Sequence, residues 1–120
     1  MKNYTPNVEI EDLFFEESSF VDGDNKWSAT SLYDAVKVQN LKSFDIPLAA
    51  INLDGLPFSV DTIHSFIFQM NRVQNCDTSI PIILSDKGLI LDGWHRICRA
   101  ILDGDRKIQA YRLKKMPNPD

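Results

Sequence analysis

The chain has 120 residues, 43% of them hydrophobic and 25% charged, the size of one domain and the make-up of an ordinary globular protein. Its net charge of −4 argues against a surface that grips nucleic acid all over, and no apolar run approaches the roughly 20 residues of a membrane helix. Met1 to Pro6 lacks the apolar stretch of a signal peptide, and Cys76 and Cys98 have no zinc-site spacing, so a cytoplasmic setting with free thiols and no membrane partner is expected.

Residues 1–7 read as a loose tail. Val8 to Phe20 mixes Leu13, Phe14 and Phe15 with acids, which predicts docking on the domain through the aromatics. Val21 to Lys26 reads as a turn. Trp27 to Leu41 reads as a helix with Ser28 or Thr30 as N-cap and Leu32, Ala35 and Val36 on one face. A strand is expected over Ile46 to Leu53, followed by the breaker Asp54-Gly55-Leu56-Pro57. Ser59 then caps a helix to Val73 with Val60, Ile63, Ile67 and Met70 inward.

The most informative stretch is Pro81 to Leu113. Ile80 to Leu84 is a β-rich apolar run, Ser85-Asp86-Lys87-Gly88 a turn cluster, and Leu89 to Leu91 the second arm of a hairpin. Gly93 permits a sharp turn and leaves room for a ligand to approach the backbone. From Trp94 the apolar period becomes helical, with Trp94, Ile97, Cys98 and Ile101 at i, i+3, i+4 and i+7. The free N–H groups of that helix start, with His95 and Arg96 beside them, form an anion site suited to phosphate. Ile108 to Leu113 closes the unit as a strand. The whole reads as an α+β fold, a small mixed sheet covered by about three helices.

This order of parts resembles the core of the ParB/sulfiredoxin-like superfamily, in which a hairpin leads into a Gly-x-x-Arg or Gly-x-His-Arg turn, a helix and a closing strand. The matching residues are Pro81, Gly88, Asp92, Gly93, His95, Arg96, Arg99, Ala100 and Gly104. The resemblance implies a core over residues 45–113, an N-terminal extension over 1–44 packed on it, and a C-terminal tail over 114–120. Trp94 stands where sulfiredoxins place their reactive cysteine, so the reductase chemistry does not carry over. Chromosome-partitioning ParB proteins continue into a helix-turn-helix domain, whereas seven residues follow Leu113 here. Free-serine kinases of this fold carry Asp-Gly-His-His-Arg in the turn, from which this chain differs at Trp94, and no acceptor-binding residues are identifiable.

Each site residue has a second reading. Asp92 is a candidate metal ligand or base, or closes the hairpin through an Asx turn. His95 is a candidate phosphate contact or proton donor, or packs beside Trp27 or another aromatic. Arg96 suits phosphate with its planar fork, or pairs with the acidic N-terminal segment. Arg99 is a phosphate contact or the i, i+4 partner of Asp103. Trp94 is a core anchor or a base-stacking platform, and Cys98 an inert buried thiol. His64, on the polar side of its helix, has no identifiable partner.

Charge is unevenly placed: seven acids and no base lie from Glu9 to Asp24, and seven of the thirteen basic residues from Arg96 to Lys115. These are solvated faces, or the basic end lines an anionic-ligand groove. Three functions follow. The first is a nucleotide-binding domain, an ATP- or CTP-dependent phosphotransferase or hydrolase with Mg²⁺ near Asp92. The second is a non-catalytic DNA- or protein-binding accessory of phage or mobile-element type. The third, a nuclease, would need clustered carboxylates, and near the turn only Asp92 is in place, with Asp86 and Asp103 further off.

Overall fold

The computed structural model describes residues 18–120, and the expected docking of Leu13, Phe14 and Phe15 lies outside them. The first element is a hairpin, β1 (Ser19–Asp22) paired antiparallel with β2 (Asn25–Ser28). Gly23, in the left-handed region at φ 60, takes the first central position of its two-residue turn, where glycine favours a tight hairpin. The expected turn over Val21 to Lys26 is thus a hairpin. Trp27 belongs to a strand rather than to the helix: its ring is buried and its Nε1–H donates to the carbonyl of Pro117 at 2.8 Å.

Helix α1 (Ala29–Val38) begins where Ser28 Oγ accepts from the backbone N–H of Ser31 at 3.2 Å, and it buries Leu32, Ala35 and Val36 as their spacing predicts. Strand β3 (Phe44–Pro47) is shorter than the expected Ile46 to Leu53. Pro47 has no N–H to extend the ladder, and the chain turns into a 3-10 turn at Leu48–Ala50, where the Leu48 N–H reaches the carbonyl of Arg106. Helix α2 (Ile63–Asn75) is capped by Thr62 in a reciprocal box with Ser65, while Ser59 bonds to Asp61 instead. Val60 therefore precedes the helix. Ile63, expected inward, is 77% exposed, and Val73 is the buried residue of α2.

The remaining elements are β4 (Ile82–Leu84), β5 (Ile90–Asp92), α3 (Trp94–Leu102) and β6 (Lys107–Arg112). Together with β3 they form a four-stranded sheet in the order β3-β6-β4-β5, with β4 and β6 parallel and the outer pairs antiparallel. The β5–α3–β6 segment supplies the crossover that a parallel neighbour needs. Strand β4 is buried on both faces. Ile82 and Leu84 pack with Ile97, Ala100, Ile108 and Ala110, on the side of α3. Ile83 packs with Trp27, Leu32, Val36, Leu91 and Leu113, on the side of α1. The described residues form a small mixed α+β domain with three helices, a four-stranded sheet and the extra hairpin. Helix α2 lies on α3 rather than on the sheet. Among the described residues no helix is long and apolar enough to cross a membrane.

Candidate functional site

The turn singled out in the sequence sits at the floor of a cleft of about 630 Å³. Asp92, Gly93, Trp94, His95 and Arg96 line it from below, Arg72 from α2, Cys76 from just beyond the end of α2, and Phe58 from the preceding loop. Gly93 is the N-cap of α3 at φ 118, in the left-handed region, and gives the helix no side-chain cap. Its lack of a side chain serves the core first. A Cβ there would lie 2.3 Å from Cγ2 of Ile82, so Gly93 lets the turn press onto β4.

Arg96 is 8% exposed and held on every side. Its Nη2 donates to Asp92 Oδ2 at 2.6 Å, and its Nη1 to Tyr33 Oη at 2.8 Å and to the carbonyls of Ile80 and Pro81 at 3.0 and 3.2 Å. Tyr33 Oη in turn donates to the Pro81 carbonyl at 2.9 Å. Burial pushes the Tyr33 phenol up, against the opposing pull of Arg96. The guanidinium thus ties α3 to α1 and to the chain entering β4. These partners all lie within the domain, and the alternative pairing with the acidic N-terminal segment falls largely outside the described residues. Asp92 is a partner of Arg96 first, and its second oxygen is what remains for other work.

His95 faces the opposite wall. Its ring stacks on Phe58 with centroids 4.6 Å apart and planes 8° from parallel, and Nε2 lies 2.6 Å from Gln69 Oε1. Burial, reinforced by the charges of Arg72 and Arg96, pushes its pKa down to about 4. The imidazole is therefore neutral at pH 7, with its proton on Nε2 toward Gln69 and Nδ1 as an acceptor. It is suited to accept a hydrogen bond or stack against a planar group, and not to donate a proton as imidazolium.

Arg72, from α2, donates to Ser18 Oγ at 3.1 Å and extends over Phe68. Burial lowers its pKa, countered by the charge of Asp92. Arg99 points away from the cleft floor. Its Nε meets Asp103 Oδ2 at 3.1 Å, the expected i, i+4 pair, and its Nη1 donates to the Gln74 carbonyl, joining α3 to α2. Trp94 packs against the core on the α3 side and also lines the cleft. Cys98 is half-buried, as is Cys76 at the cleft wall, and burial pushes both thiols up.

The sequence reading missed Tyr33, Phe58, Gln69 and Arg72. Only α2 carried a usable signal: Gln69 and Arg72 lie at i and i+3 on one face, and Cys76 follows just past the helix end. Among the described residues no group of three or more His, Cys, Asp or Glu side chains is placed to hold a metal ion. Asp92 Oδ2 already binds a guanidinium, so the described residues of the turn do not by themselves make a divalent-cation site. Comparison with protein-family models, with curated proteins and with solved structures finds no match to this chain.

Proposed function

We propose that the cleft binds a phosphate-bearing small molecule of the nucleotide class, with ATP and CTP as their magnesium complexes the first to test. The observation that carries the reading is the start of α3. A helix without a side-chain cap presents its first N–H groups at the floor of a cleft, with Arg72 on the wall. Asp92 offsets Arg96, so the positive field there comes from the helix terminus and Arg72. Phe58, stacked on His95 at the cleft wall, is an aromatic ring on which a base can stack by its outer face, and a neutral His95 Nδ1 adds an acceptor. The succession of hairpin, left-handed Gly93, helix and parallel closing strand supports the finer assignment to the ParB/sulfiredoxin-like fold. In a phosphotransfer step, this site would contribute positioning and charge neutralisation, with Asp92's remaining oxygen as the candidate base.

Isothermal titration with ATP, CTP, GTP and ADP plus Mg²⁺ tests the reading. Saturable binding by the wild type, weakened about ten-fold or more in Arg72→Gln through loss of a charge-assisted bond, is expected. A flat response to all four nucleotides ends it. A second reading, a non-catalytic protein-binding accessory, rests on α2, where Ile63 and Phe66 are 77% and 53% exposed on a helix with one fully buried residue. Under it, no nucleotide raises the melting temperature.

A further inference from the structure

We infer that the end of the domain where α1, β4 and β6 terminate is a binding surface for the phosphate backbone of a nucleic acid. The inference is independent of the cleft, which opens beside the start of α3. Six exposed cations meet at this end: Lys37, Lys42, Lys87, Arg112, Lys114 and Lys115. Sequence separates them by as much as 78 positions, and only the tertiary contacts bring them together.

The placement follows from hydrogen bonds and register. Gln39, just beyond α1, donates to the Lys115 carbonyl at 2.7 Å and accepts from the Lys114 N–H at 2.8 Å. That fixes the chain after β6 to the end of α1 that carries Lys37. The antiparallel register Phe44↔Ala110 brings the residues just before β3, Lys42 among them, alongside the end of β6. On the other side Leu84 pairs with Arg112, and the Arg112 guanidinium donates to the Asp86 carbonyl at 2.7 Å, which sets the Lys87 turn against it.

These charges are uncompensated among the described residues, whose three ion pairs are Arg96–Asp92, Arg99–Asp103 and Lys107–Asp45. The nearby carboxylates, Asp86 in the turn and Asp34 one turn up α1, pair with none of the six. Arg112 bonds to a neutral carbonyl, so its charge stays available. A concentration of like charge on a chain of net charge −4 costs self-repulsion unless an anion relieves it. The composition selects the class of anion. Protein interfaces have an aromatic or aliphatic centre and are depleted in lysine, whereas phosphate backbones are met by dispersed lysine and arginine side chains. The exposed large apolar residues near these cations, Val38, Phe44 and Leu89, stand singly on three separate segments between the lysines rather than as the aromatic or aliphatic centre of a protein-binding core. The proposal concerns contacts to the backbone, which carry no sequence information, so binding is expected to be indifferent to sequence.

The experiment is fluorescence anisotropy of the full chain with labelled duplexes of about 20 base pairs, one DNA and one RNA, with poly-glutamate as a competing polyanion. With about four phosphates neutralised, affinity should fall roughly 100-fold between about 50 and 200 mM salt. Lys114→Glu should weaken binding about ten-fold, and Arg106→Glu, the same charge change at the opposite end of β6, less than about three-fold. The exposed side chains involved leave folding intact, which circular dichroism checks. Tighter binding of one duplex identifies DNA or RNA as the target. The absence of saturable binding to either at low salt, equal losses in the two variants, or a preference for poly-glutamate overturns the proposal.

Discussion

Replacing Arg96 with methionine should cost the fold more than it costs any ligand. Methionine keeps much of the side chain's length and apolar stem and removes the donors. Nη2 gives a charge-assisted bond to Asp92 at 2.6 Å, worth about 2–3 kcal/mol net. Nη1 has two protons for Tyr33 Oη and the carbonyls of Ile80 and Pro81, together about 2 kcal/mol. The sum, about 4–5 kcal/mol, agrees with the roughly 3–5 kcal/mol typical of breaking a buried ion pair from one side. For a domain of this length that is a fall in Tm on the order of 15 °C.

Thermal and urea denaturation of Arg96→Met, Asp92→Asn and the double variant measure it. Because Asp92 is left without its counter-ion in the first single variant, the double variant should be less destabilised than the sum of the singles, by about 1–3 kcal/mol. If Arg96→Met melts within about 2 °C of wild type and loses nucleotide binding, the guanidinium serves the ligand and the structural account of Arg96 fails.

Gly93→Ala combines a positive φ with a collision at Ile82 and should destabilise by roughly 2–6 kcal/mol, read from urea midpoints; a neutral result would contradict the packing of the turn on β4. His95, with its folded pKa lowered from 6.5 to about 4, binds fewer protons folded than unfolded in that interval. Its contribution to stability is therefore complete above about pH 6.5, declines as pH falls toward 4, and is constant below. The wild-type minus His95→Gln difference in unfolding free energy should show that slope, and a pH-independent difference would refute a neutral, desolvated imidazole. Both thiols should react slowly with iodoacetamide at pH 7 and faster as pH rises past 9, since burial raises their pKa values. Alkylated Cys98 should leave nucleotide binding unchanged, while a bulky adduct on Cys76 should narrow the cleft it lines and weaken binding; titration of the singly modified proteins distinguishes them.

Local chemistry was legible in the sequence wherever neighbours along the chain decide it. The period of Leu32, Ala35 and Val36, the Ser28 cap, the Ser85–Gly88 turn and the abrupt start of α3 after Gly93 depend on spacing and on single-residue conformational preference. The Arg99–Asp103 pair is likewise set by one helical turn. Boundaries failed where a distant partner decides. Strand β3 stops at Pro47 because β6 begins opposite it at Lys107, and Trp27 joins a strand because Phe20 lies across a hairpin from it. The roles of the site residues lay further from reach. Whether Arg96 faces a ligand or the protein depends on Tyr33 and on the Ile80 and Pro81 carbonyls, and the proton affinity of His95 on burial beside Phe58 and Gln69. None of these relations is periodic in sequence. The sequence by itself determined that Asp92, Gly93, Trp94, His95 and Arg96 would share one turn at the start of a helix. Only the packing of α1, α2 and β4 around it decided their charge states and partners, because desolvation and hydrogen bonding depend on every element that closes over a side chain.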